Sequence, residues 1–469
     1  MSVSVFDRQR VLFRSTFAAC VVSGLVLVWG HRFLPISDYP DWVFEGSVVA
    51  ELLRGEAPAS YSFKNYPVPN AGAVALIGIL DLVFSPEASG RIVLSLCIVL
   101  LALSSTYLLK SLRPDTESPL LLIPLLFLPG TFFFWGELSY IFGLSLFLFY
   151  CGYLFRRVYF AKPINWWLVG GASIGLFFCH FLPYATAILV TLVFCVTESR
   201  IDLLRPFAIS FGPSIGLTIW YAVARLSLSL PDTGWQFWTP HQLAGRVLAA
   251  FSPFPEFLPW LGINAPGMKL FALLDLLVTI LLAMVIPLCA YMWVRGRTRN
   301  HGVLACAVVC AFAVIVSGYA FAGVVSPGER FLYPAVWIGL CWLIAADLPR
   351  ENSRSSKALT GVLVALLACQ IVFLQVNVAT ISNQLSALYS KLRSAKSQTE
   401  LCEIYETYIR HSFEQPHRTG LDRFLTNHAS VPRLPYYIYL EKKVEAPIFG
   451  TGILSYNGQG KDQDLCEPP

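Results

Sequence analysis

Apolar residues gather into eleven blocks, at about 11–30, 91–110, 119–134, 139–155, 164–180, 183–197, 206–227, 269–293, 302–324, 331–347 and 358–379. Most reach the 17–25 residues that an α-helix needs to cross a bilayer core about 30 Å thick. None has the short alternating rhythm of a transmembrane barrel strand. The pattern predicts an all-α polytopic membrane protein with about eleven transmembrane helices. A further apolar stretch, 71–84 "AGAVALIGILDLVF", is too short to span and holds Asp81, so it predicts an interfacial or re-entrant helix.

The polar positions orient these blocks. With 71–84 left out of the count and the N-terminus inside, every strongly basic connection falls on one side. These are Arg8, Arg10 and Arg14; Lys110 and Arg113; Arg156, Arg157 and Lys162; Arg200 and Arg205; Arg295, Arg297 and Arg299; and Arg350, Arg354 and Lys357. Counting 71–84 as a span would turn most of them outward, against the positive-inside rule. The expected topology is N-terminus cytoplasmic and C-terminus extracytoplasmic, although the pair within 164–197 could also be broken or re-entrant. Block 11–30 is long for a signal peptide and no small-residue cleavage site follows it, so it reads as an uncleaved first span.

Two regions follow from this division. Residues 1–380 form the transmembrane domain, and 31–90 is its long first outer loop. There "YPDWVFEGSVVAELLRG" places Trp42, Val43, Val48, Val49, Leu52 and Leu53 at near-helical spacing. That predicts an interfacial helix with its aromatics at headgroup level. "YSFKNYPVPNAG" reads as an extended turn. The loop 228–268, rich in Pro, Trp and Phe, is expected to rest on the membrane over a cavity. Residues 381–469 regain Lys, Arg, Glu, Ser and Tyr and predict a small α+β extracytoplasmic domain.

Composition adds limits. The chain is 56% hydrophobic and 13% charged, with a mean hydropathy of +0.61, whereas soluble domains carry about a quarter charged residues. The net charge of +5 is spread over span ends, which argues against nucleic acid as a partner. Ten of the twelve cysteines lie in or beside apolar blocks, with no C-x-x-C pair and no zinc-like spacing. Cys402 and Cys466 fall in the polar tail, where they could pair if the tail lies outside the cytosol. The chain has no N-x-Ser/Thr sequon, which favours a bacterial inner membrane over a eukaryotic secretory one.

The unusual polar residues concentrate in the outer connections. Asp38 and Asp41 could act as a general base or hold a divalent cation, the one cofactor this chemistry suggests; the bland alternative is a pair of solvated acids. Arg330, in "SPGER", suits a phosphate headgroup because a guanidinium binds phosphate bidentately. Alternatively it snorkels or pairs with Glu329. Glu137, in the tight turn "WGELSY", would be costly unless wet or partnered; it could hold an acceptor hydroxyl or bridge to Arg330. His180, in "CHFLPY", could bind phosphate, donate a proton or simply hydrogen-bond. Lys64 and His241 are weaker headgroup candidates, and Asp81 is expected near the acidic loop. "FFFW" (132–135) and "INWWL" (164–168) read as lipid-facing belts or core.

The layout resembles the GT-C class of integral-membrane glycosyltransferases. The shared marks are a first span, a long outer loop with acids near its start, interfacial helices, many further spans and an outer C-terminal domain. "PISDYPDW", "YPVPN", "FFWGELSYIFGLSLFLF", "CHFLPYA" and "ERFLYPAVWIGL" look like landmarks of bacterial multi-span proteins of this type. The Asp-x-x-Asp spacing differs from the adjacent or one-apart acids common in that class, so both acids stay candidates for the base. The resemblance implies a polyprenyl-phosphate sugar as donor and a glycan, lipid or protein acceptor. Asp38 or Asp41 would deprotonate the acceptor, and Arg330 with His180 or Lys64 would stabilise the departing phosphate. Two other readings stand beside it: an O-antigen ligase or polymerase-like enzyme, and a lipid or solute transporter with polar groups converging at mid-membrane.

Overall fold

The computed structural model describes residues 5–36, 38–226, 236–254, 268–295, 300–318, 320–321, 324–325, 327–346, 354–395, 400, 403–404, 441 and 453–456. Helices dominate them, and six are long and apolar enough to cross a membrane. The chain is an all-α membrane protein with very little sheet.

Helix α1 (Val5–Gly30) leads into α2 (Tyr39–Arg54), strand β1 (Tyr61–Phe63), α3 (Gly72–Asp81) and α4 (Pro86–Leu109). Pro40 opens α2, and Gly55 in the left-handed conformation closes it. Pro86 starts α4 behind Ser85, whose hydroxyl accepts the Ala88 N–H. Residues 31–90 thus carry the two expected short helices. The aromatics of α2 behave differently from expectation. Tyr39 and Phe44 are buried, and the half-buried Trp42 donates to the Gly136 carbonyl at 2.8 Å. They face the bundle rather than lipid headgroups, because α3 and α4 cover α2. Gly46 and Gly78 permit that approach: a Cβ at Gly46 would lie 2.3 Å from Ile77.

Block 119–134 is not a regular α-helix. It is a 3-10 helix over Pro119–Phe127, followed by the single-turn α5 (Thr131–Phe134). Pro124 removes an N–H and crowds the preceding turn, and the chain answers by stretching to about 2 Å per residue. Next come α6 (Leu138–Tyr159), α7 (Trp166–Cys179), α8 (Phe181–Thr197) and α9 (Leu204–Leu226). Helix α10 (Pro240–Ala250), opened by a Thr239–Gln242 capping box, lies in the loop expected to cover a cavity. Block 269–293 divides into α11 (Met268–Ala283) and α12 (Val285–Val294), since Pro287 has no N–H for the Ala283 carbonyl. Helix α13 (His301–Val316) ends early and gives way to the β2 (Ala320–Phe321) and β3 (Val324–Val325) pair.

The last elements are α14 (Leu332–Ala345), α15 (Arg354–Ser394) and β4 (Leu454–Tyr456). With 41 residues, α15 extends about 60 Å, twice a bilayer core, and passes straight through the boundary expected near 380. Most of the predicted C-terminal domain, with Cys402 and Cys466, lies outside the described residues. One piece of it is placed: β4 pairs antiparallel with β1, Ser455 opposite Ser62. Leu454 is fully buried there among Phe44, Val48, Val49, Tyr61 and Val74. "YSFKNYPVPNAG" therefore opens with a three-residue strand rather than being turn alone.

The two ends of the bundle are chemically distinct. At one end Glu117 meets Arg10 (3.4 Å) and Lys110 (3.6 Å), and Arg113 donates to the Ile344 carbonyl. Glu198 accepts there from Tyr159 Oη (2.5 Å) and the Gly302 N–H (2.6 Å). At the opposite end Arg91 binds the Val28, Trp29, His31 and Arg32 carbonyls, fastening the start of α4 to the exit of α1. The aromatic runs split: Phe132, Phe133 and Phe134 are core, whereas Trp167 is 92% exposed on the outside of the bundle.

Candidate functional site

Four chain breaks at the second end hold the site: the start of α2, the turn before α6, the α7–α8 turn and the turn before α14. Arg330, in a 3-10 turn (Gly328–Phe331), places Nη2 2.5 Å from Glu137 Oε1 and Nη1 3.0 Å from His180 Nε2. Its side chain is 13% exposed, and Tyr140 donates from Oη to its carbonyl at 2.6 Å. The guanidinium also lies over the Tyr140 ring. Its Nε has no hydrogen-bond partner among the described residues.

His180 is the N-cap of α8: Nδ1 accepts the Leu182 N–H at 3.1 Å. That bond assigns the proton of the neutral ring to Nε2. Burial lowers the imidazole well below its ordinary value, and Arg330 lowers it further, so the ring is neutral. Its Nε2–H and an Arg330 N–H then face one another as two donors, an arrangement that an anion would relieve.

Glu329 turns away from its neighbour and pairs with Arg246 of α10, Oε2 to Nη1 at 3.3 Å. It is 3% exposed, and burial raises its carboxyl to about 7 against the pull of Arg246 and Arg330. The Arg246 guanidinium lies over Trp135, and Thr131 donates to the Ala249 carbonyl. Helix α10 is thereby fixed to the site. Arg246 was visible in the sequence only as one basic residue in a long loop; its amphipathic helix was the signal that could have directed it inward.

The acidic loop reaches this cluster through Gly136. That glycine, at φ +80°, packs so closely on Asp38 that a Cβ would lie 2.6 Å from the Asp38 nitrogen. Asp38 is half-buried against Gly136, the residue that precedes Glu137 in the chain. Asp38, Asp41 and Glu45, at i, i+3 and i+7, lie along one face of α2, with Asp41 and Glu45 buried. Lys64 lies by Glu45: burial lowers its amine, Glu45 opposes and Arg225 adds to the fall. Asn70, at φ +73°, aligns the loop with the two turns. Its Oδ1 accepts the Phe181 N–H (3.3 Å) and its carbonyl accepts from Ser139 Oγ (2.9 Å).

The structure thus brings together Glu137, His180, Arg330, Glu329 and Arg246, with Asp38 alongside. Lys64 belongs to the Glu45–Arg225 neighbourhood instead. His241 is exposed on α10, a helix that turns Arg246 inward. Asp81 sits at the far end of α2, where its carbonyl accepts from Arg54. Among the described residues no three His, Cys, Asp or Glu side chains gather to hold a metal. Fold and site define a helical membrane protein with a desolvated, charge-paired cluster at one end of its bundle. No family profile, curated protein or solved structure matches the chain.

Proposed function

We propose that the protein is an inner-membrane glycosyltransferase that takes a sugar from a polyprenyl phosphate at the extracytoplasmic face. In this reading the chain crosses eleven times. The Glu117 and Glu198 end faces the cytoplasm, where the basic connections concentrate. The Arg330 end faces outward together with the C-terminal strand. Asp38, or Asp41 one turn on, removes the acceptor's hydroxyl proton. Arg330 and the His180 Nε2–H receive the departing phosphate, whose negative charge grows as the glycosidic bond breaks. The acceptor is a glycan, lipid or protein.

One observation carries the reading. An arginine with an uncommitted N–H, a neutral histidine and the acidic loop converge where helices end. A carrier would need its polar groups near mid-membrane. The Asp38→Asn, Asp41→Asn and Arg330→Ala variants in nanodiscs, supplied with polyprenyl-phosphate sugars, test it by release of the free lipid phosphate. Loss of a base is expected to slow transfer by about a hundredfold or more. Undiminished transfer by all three variants sinks the mechanism.

A further inference from the structure

A count of charges raises a problem for this site. Among the described residues the cluster holds two guanidiniums, Arg246 and Arg330, and two carboxylates, Glu137 and Glu329, each cation within 3.3 Å of an acid. These four charges leave no net positive charge to receive a ligand, and Asp38 alongside adds none. A phosphodiester brings one more negative charge to a site where Arg246 and Arg330 are nearly buried. An uncompensated charge in such a place is expensive. The cheapest remedy is to neutralise the acid that water solvates least. That acid is Glu329 at 3% exposure, against 22% for Glu137.

Resting on the headgroup reading above, we propose that a phosphodiester entering at Arg330 and His180 drives protonation of the neighbouring Glu329 carboxylate, the proton coming from bulk water. Anion binding and protonation are then one event. The groups facing Glu329 are Arg246 from α10, Arg330 from its own turn, Glu137 from the turn before α6, and Tyr140 of α6 behind it. Tyr333 follows in α14, and the last six residues of α13 are all apolar. Before the anion arrives, burial and Arg330 keep the His180 ring neutral. Burial already holds the Glu329 carboxyl near neutrality, so the coupling falls in a range where it can be measured. The sign is fixed: binding raises this group further, so affinity falls by up to about tenfold per pH unit above 7 and levels off below.

Dibutyl phosphate is a suitable probe, since a phosphodiester keeps a single charge between about pH 6 and 9. Calorimetry on the full chain in nanodiscs, in buffers of different ionisation heat, counts protons per anion. The expected result is uptake approaching one proton at the alkaline end and falling toward zero at the acid end. The Glu329→Gln variant should bind with flat affinity and no uptake, while Glu137→Gln keeps the coupling. Binding with no proton uptake in the wild-type protein overturns the proposal and leaves the headgroup reading standing. Coupling lost in Glu137→Gln but kept in Glu329→Gln overturns the assignment. No binding at any pH defeats both readings.

Discussion

At the scale of single residues the site depends on close contacts that no side-chain chemistry announces. Gly136 lies in the left-handed region with the Asp38 backbone where its Cβ would be. A Gly136→Ala substitution is expected to cost about 1–3 kcal/mol through overpacking and backbone strain. It should also shift the acidic loop away from Glu137. Thermal unfolding in nanodiscs checks the first effect, and hydrogen exchange at the start of α2 the second. Glu137, His180 and Arg330 were legible in the sequence because polar groups in tight turns between apolar spans need partners. Their partnership was legible only as one option among several. Arg246 was not, since its amphipathic helix points only to an inward face and nothing local tells that it will meet Glu329 across 83 positions. Lys64 was the weaker headgroup candidate in the sequence, and the structure sets it beside Glu45 and Arg225 instead.

At the scale of elements, prolines account for two departures from the simple span pattern. Pro124 converts a would-be helix into a 3-10 segment, and Pro287 divides α11 from α12. The periodicity of α2 was readable, but the destination of its aromatics was not, because a stripe of Tyr, Trp and Phe fits headgroups or a neighbouring helix equally. The tail strand is a further case. Leu454 seals the small core over α2 and α3 from about 390 residues downstream of β1. Leu454→Ala is expected to cost that region about 2–4 kcal/mol and to raise exchange at β1 and α2 while leaving α6–α8 protected. Equal exchange across all of these elements would show that β4 carries no such role.

At the scale of the whole molecule, the apolar blocks and the basic connections agree with one arrangement of ends. Arg10, Lys110 and Arg113 meet at one end, and Arg91 ties α1 to α4 at the other. Single cysteines placed at Lys162 and Arg295 should react with an impermeant thiol reagent only from the cytoplasmic side. Cysteines at Phe63 and His241 should react only from the outer side, and the reverse pattern would remove the proposed topology. The sequence by itself determined that the chain is a helical membrane protein, because twenty apolar residues in a row can satisfy their backbone in lipid only as a helix. It also marked which turns carry costly charges. Only the tertiary structure decided which charges meet. Pairing distances depend on how helices pack against one another, and that packing is fixed by side chains far apart in the chain.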